Sequence, residues 1–347
     1  MTRAAAIAHA LASRPPAGAG LRLLQRSAGA AAAALPGAAQ RDWRELANKL
    51  EAFVDFHQAA TLLGPVAGFE PPLDEPLRRA VALGAHRSLW TIEGLGYARA
   101  ESAWRAGRSP GPVLPPGIAE RWPRAVVPLH TGAALSFAER LLGTAGGGSA
   151  DGLALWLAGW EESAGADWRG IGAEALGLVA RNLEPRLVPR LSDQLSVFDP
   201  LLAEHLWHGV GRGLYFAPAH AVPHTHGGRR AFAKARREPP GEEERRNATA
   251  GLAFALTLVN LRHPEVVAAA LEGEAGTPGI SSGVASALVL WSEMVGRDSH
   301  LTGFLSFRPS RPGLDAVWRD VVLAPATAAL DAPPSHGVPA GLFRSAG

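Results

Sequence analysis

Apolar residues recur along this chain at three- and four-residue spacing rather than in strict alternation. The segments LSFAERLLG (135–143), LGLVARNLEPRLVPRL (176–191), FALTLVNL (254–261) and ALVLWSEMVG (287–296) carry that spacing, as helices with one buried face do. Between them lie breaks rich in proline and glycine: RSPGPVLPPG (108–117), REPPGEEE (237–244) and GEAGTPGISS (273–282). The alternation of half-buried strands and the Asn-Gly hairpin turn are both missing, so the pattern predicts an all-α protein.

A second pattern is written in small residues. Gly94-Leu95-Gly96-Tyr97-Ala98 is followed by Gly132-Ala133-Ala134, Gly170-Ile171-Gly172, Gly209-Val210-Gly211-Arg212-Gly213, Gly251-Leu252-Ala253 and Gly283-Val284-Ala285. A further copy, Gly152-Leu153-Ala154, falls between two of them. The first five leading glycines are 38, 38, 39 and 42 residues apart, and the last step is 32. That period is the length of a two-helix hairpin. It predicts repeated helical hairpins of about 38–42 residues, α-solenoid or α/α-toroid-like, with close Gly/Ala packing. Residues i and i+2 of a helix lie almost opposite each other, so glycine at both thins a helix on two sides. Each glycine costs roughly 1 kcal/mol relative to alanine, and close packing against two neighbours is the compensation expected. HGVGRGLYF (208–216) also has the look of a phosphate loop. A dinucleotide fold needs a strand before such a loop, whereas FDPLLAEHLW (198–207) reads as helix.

Glu93-Gly94-Leu95-Gly96, His130-Thr131-Gly132-Ala133-Ala134, Arg169-Gly170-Ile171-Gly172, His208-Gly209-Val210-Gly211-Arg212-Gly213-Leu214-Tyr215-Phe216 and Thr249-Ala250-Gly251-Leu252-Ala253 carry a resemblance. They resemble a poorly characterised bacterial family of helical proteins, several of them encoded in enediyne polyketide gene clusters. The likeness spans roughly residues 88–300. It implies a setting in specialised metabolism and carries no catalytic assignment.

Composition narrows the chemistry. With 47% hydrophobic and 19% charged residues, the 347-residue chain can bury a substantial core. The absence of cysteine excludes disulfides, thiolate catalysis and cysteine-held zinc or iron–sulfur clusters. A net charge of +2 is far below a nucleic-acid binder's basic footprint. The stretch GGRRAFAKARREPPGEEERRN (227–247) balances its basic residues with a Glu triplet and reads as a solvated amphipathic helix before a turn. No run of about 20 strongly apolar residues offers a membrane span. The apolar stretch AAAIAHALA near the start is broken by His9, which argues against a secretory leader and leaves a cytoplasmic protein as the expectation. The expected organisation is an Ala-rich mobile segment (1–40), one helical domain (41–325) and a flexible tail (326–347).

Repeat symmetry also nominates a site. Residues just ahead of the repeat glycines should reach similar depth, gathering Glu93, Asp151, Arg169 and His208, with Glu174 and Arg212 one turn further on. Glu93 and His208 could then do acid–base work while Arg212 holds an anionic group. His130, Arg169, Glu174, Trp90, Trp207 and Tyr215 would contact substrate, an apolar, polyketide- or polyene-like small molecule in an aromatic-lined cavity. The plainer readings are structural salt bridges and tryptophans that fill space between thinned helices. Histidines 205, 208, 220, 224 and 226 are dense enough to raise a transition metal. No acidic partner stands at ligand spacing, so neither metal nor cofactor is expected. The alternative to a small-molecule protein is a non-catalytic scaffold whose partner is another protein or a second copy of the chain. A pocket ringed by Glu93, His130, Arg169, His208 and Arg212 would favour the first reading, and a filled centre the second.

Overall fold

The computed structural model describes residues 17–63, 72–144, 146–224 and 227–332. Among these residues the regular elements are all helices. The first six are α1 (Ala17–Ala34), α2 (Gly37–Leu62), α3 (Asp74–Val81), α4 (Ala85–Arg105), α5 (Ile118–Arg121) and α6 (Val126–Gly143). Then come α7 (Ala150–Ala164), α8 (Arg169–Leu183), α9 (Val188–Phe198), α10 (Pro200–Phe216), α11 (Gly227–Arg237) and α12 (Glu242–Val259). The chain ends with α13 (Pro264–Ala270), α14 (Ile280–Val295), α15 (Ser299–Ser306), α16 (Pro312–Val317) and, after a π-helical turn at Trp318–Leu323, α17 (Ala324–Asp331).

The even-numbered helices pack in succession: α2 on α4, α4 on α6, and onward through α8, α10, α12 and α14. Six copies of the glycine motif fall one on each even-numbered helix from α4 to α14. Their contacts explain the tolerance of glycine. A Cβ at Gly96 would strike the Leu129 carbonyl on α6, and one at Gly132 would strike the Glu93 carbonyl on α4. Gly209 stands in the same relation to Glu174 on α8, while Gly177 faces Leu206 on α10. Gly211, on the other side of α10, meets the Ala248 carbonyl of α12, and Gly251 returns the contact at His208. Backbones this close set Cα–H groups against carbonyls, weak contacts of roughly 0.5–1 kcal/mol each. Thinning on two sides is therefore real at α4 and α10. The α6–α8 contact differs, because Gly170 and Gly172 meet the side chains of His205 and Trp160 instead. Gly152, the additional copy, begins α7 and lies against its own loop at Gly146.

Local chemistry sets the ends of these helices. Asp199 caps α10, its carboxylate accepting from the Leu201 N–H at 2.9 Å, with Pro200 in the first turn. The helix then runs unbroken through HGVGRGLYF, so those backbone N–H groups serve the helix and cradle no phosphate. Ser149 caps α7, and Gly165 ends it at φ 92°, which favours glycine. One expectation needs correction. The apolar run 176–191 is two helices, because Pro185 ends α8 at Leu183 and α9 begins at Val188. Within the Ala-rich segment, residues 17–34 form α1, which packs on α2 with Ala28 and Ala32 fully buried, and residues 37–40 open α2. Likewise α17 extends into the expected tail, with Ala326 buried. Residues 1–16 and 333–347 lie outside the described residues.

Aromatic side chains fill the space between helices. Trp160 is fully buried and donates its Nε1–H to the Trp168 carbonyl at 2.9 Å; burial of an indole stabilises by roughly 4–6 kcal/mol. Helix α11 is the amphipathic element expected of 227–237. It buries Ala231, Phe232 and Ala235 and exposes Arg229, Arg230, Arg236 and Arg237. Among the described residues, no helix is long and apolar enough to cross a membrane.

Candidate functional site

Four ionisable side chains meet between α4, α8 and α10. Glu93 precedes Gly94 on α4, Glu174 comes from the middle of α8, and His208 and Arg212 share one face of α10 at i and i+4. Imidazole Nδ1 of His208 stands 2.7 Å from Glu174 Oε1. Arg212 Nη1 reaches Glu174 Oε2 at 3.1 Å, and its Nη2 stands 3.9 Å from Glu93 Oε1. The guanidinium also lies 5.6 Å from the centroid of the Phe254 ring. All four side chains are buried, none more than 8% exposed.

The two carboxylates are not equivalent. Burial pushes Glu174 upward, but the Arg212 charge and the His208 hydrogen bond outweigh it and hold the carboxyl down to about 2. Glu93 has the distant end of the guanidinium alone. Burial therefore prevails over Arg212, and with the Glu174 charge nearby the Glu93 carboxyl is pushed up to about 7. A carboxyl that titrates near neutrality beside a fixed cation has the parts of an acid–base pair.

Several nominated residues sit elsewhere. Asp151 is exposed at the start of α7. Arg169, the first residue of α8, is exposed and pairs with Glu161 (Nη2 to Oε2, 2.9 Å). His130 lies on α6 with its ring stacked on Trp168 (3.7 Å between centroids) and its Nδ1 2.7 Å from the Val126 carbonyl. Burial lowers its pKa from 6.5 to about 4, against smaller upward pulls from the Val126 and Ala164 carbonyls. The imidazole should thus stay neutral down to about pH 4, and NMR titration of its ring protons tests this. Because the folded pKa is the lower one, this histidine's contribution to stability should be lost as pH falls from 6.5 towards 4.

Trp90, Trp207 and Tyr215 are buried apart from the four-residue cluster's contacts. Trp90 packs edge-on against His86, and Trp207 donates to Ser192 Oγ at 2.9 Å. Tyr215 belongs to a second polar set that sequence reading missed. Its hydroxyl accepts from Asn260 Nδ2 at 2.8 Å, and Lys49 Nζ lies 4.0 Å from its ring centroid. Asn260 in turn accepts from Asn48 Nδ2 at 2.9 Å, while Lys49 pairs with Glu45 at 2.8 Å. Beside it, Glu51 bridges Arg262 (2.9 Å) and His86 (3.5 Å). The available signal was Asn260 at the end of the apolar run FALTLVN.

Two small clefts accompany these features. One is lined by Gly96, Arg99, Val113 and Phe137, the other by Asp42, Glu45, Lys49 and His220. Each holds about 10 Å³, room for about one water. Neither is lined by Glu93, Glu174, His208 or Arg212. Among the described residues, no group of three or more His, Asp or Glu could hold a metal ion; of the histidine-rich stretch, His226 lies outside them. No protein-family model, curated protein or solved structure matches the chain.

Proposed function

We propose that this chain is a non-catalytic helical scaffold, an array of helical hairpins working in the cytoplasm by contact with a protein partner. The observation that supports it is the filled centre. Glu93, Glu174, His208 and Arg212 are partnered with one another, and glycine contacts bring the backbone of α4 against α6 and that of α10 against α8 and α12. The clefts nearby are water-sized, whereas a drug-sized ligand needs roughly 300 Å³ or more. Large apolar side chains on the connecting helices α7 and α9, namely Leu155, Val197 and Phe198, are exposed and available to a partner.

A second reading keeps a small-molecule protein of specialised metabolism, binding or transforming an apolar polyketide-like substrate once the helices part. The Glu93 carboxyl, titrating at about 7 beside Arg212, favours it. Native mass spectrometry of the protein purified from its own cells separates the two. The scaffold reading expects the mass of the chain alone or joined to a second polypeptide. A co-purifying lipophilic small molecule would overturn it in favour of the second.

A further inference from the structure

The charges of the buried cluster do not balance. Two carboxylates, Glu93 and Glu174, share one guanidinium, that of Arg212. One guanidinium against two ionised carboxyls would leave one negative charge among buried side chains. Isolated buried charge is costly enough that such a group takes up a proton instead. Neutrality therefore requires one proton beyond those of the guanidinium, on a carboxyl or on a neighbouring imidazole, His208 or His205.

Geometry decides which group carries it. Glu174 is served twice, by Arg212 at 3.1 Å and by His208 at 2.7 Å, so its negative charge is well compensated. Glu93 has Arg212 at 3.9 Å and no closer cation. The charged groups acting on it are Arg212 from α10 and Glu174 from α8. Ionisable chains on the helices packed directly against α4 are engaged elsewhere. On α2, Glu45 pairs with Lys49, Glu51 with Arg262 and Asp55 with Arg87, while His57, its pKa lowered by burial, packs edge-on against Phe56. On α3, Asp74 pairs with Arg121, and Glu75 with Arg78 and Arg79. On α6, His130 is stacked on Trp168 and Glu139 accepts from Tyr97.

We propose that the Glu93–Arg212–Glu174–His208 cluster is a proton-linked lock on the helix stack: the packed chain holds one proton on Glu93, and its release leaves an uncompensated charge among the side chains that join α4 to α8 and α10. The sign follows from the carboxyl's upward shift to about 7 from its ordinary 4.5. The folded chain binds this proton more tightly than the unfolded chain does. The lock is therefore complete below about pH 4.5, weakens as pH rises and is lost above about pH 7.

The test is proton uptake on refolding at about pH 6, compared between the wild type and Glu93→Gln. Buried histidines with lowered pKa values, His86, His130 and His220, release protons on folding in both proteins and cancel in the difference. The wild type should take up more than Glu93→Gln by a value approaching one proton, and the difference should vanish above about pH 8. Infrared difference spectra of the wild type, acid against alkaline, should show a protonated-carboxyl stretch that disappears through neutrality. That second measurement holds even if Glu93→Gln does not fold. Equal uptake in the two proteins, or no carboxyl band, would overturn the proposal. So would loss of the uptake in His208→Asn with the carboxyl band absent, since the proton would then belong to the imidazole.

Discussion

Valine at Gly209 or Gly211 should destabilise the fold strongly and lower its urea midpoint well below that of the wild type. The Cβ alone would overlap the Glu174 carbonyl from one position and the Ala248 carbonyl from the other, and both obstacles are backbone on neighbouring helices. Overpacking a core costs about 1–3 kcal/mol where side chains can yield. Here a whole helix must move, so the expected loss is at the upper end, about 3 kcal/mol or more, out of a typical total of about 5–15. Gly159 in α7 is the control. Nothing lies within 4 Å of a Cβ built there, so Gly159→Ala should gain up to about 1 kcal/mol from helix propensity. Urea denaturation of the three variants checks both statements; unchanged midpoints for Gly209→Val and Gly211→Val would mean that α10 does not touch α8 and α12 through these residues.

Arg212→Met should be nearly as damaging, for an electrostatic reason. It removes the guanidinium from between Glu93 and Glu174 and leaves the buried Glu174 carboxylate without its cation. Stripping one partner from a buried ion pair costs roughly 3–5 kcal/mol. The deficit should shrink in acid, because Glu174 is held down to about 2 chiefly by the Arg212 charge against its burial. Without that charge its pKa rises, and protonation repairs the imbalance. The stability difference between wild type and Arg212→Met should therefore narrow as pH falls below 4.5. A gap that stays constant with pH would show that the arginine acts through packing alone.

The all-helical fold was legible because periodicity and proline breaks are local. The glycines were legible for a different reason: a backbone contact between helices admits no other residue, so each contact leaves a mark in the sequence. Glu93, His208 and Arg212 do meet, and the position one step ahead of a repeat glycine predicted two of them. The same rule failed at Asp151, whose glycine opens the connecting helix α7, and at Arg169, which stands at the exposed start of α8. On α8 the inward acidic residue is Glu174, and the glycine against α10 is Gly177 rather than Gly170. Helix α2 carries no copy of the motif, so its part in the Tyr215 network had no sequence signal. Asn48 and Asn260 are 212 residues apart, and nothing in the spacing of either one names the other.

That distant pair has a consequence of its own. Asn48 sits on the first helix of the even-numbered succession, and Asn260 follows directly on α12, five contacts later. Both amides are buried, and either would cost about 1–3 kcal/mol if left without its partner. One packed helix more or fewer between them would carry Asn260 away from Asn48. The two asparagines thus act as a gauge of length: they accept one number of intervening helices and penalise every other.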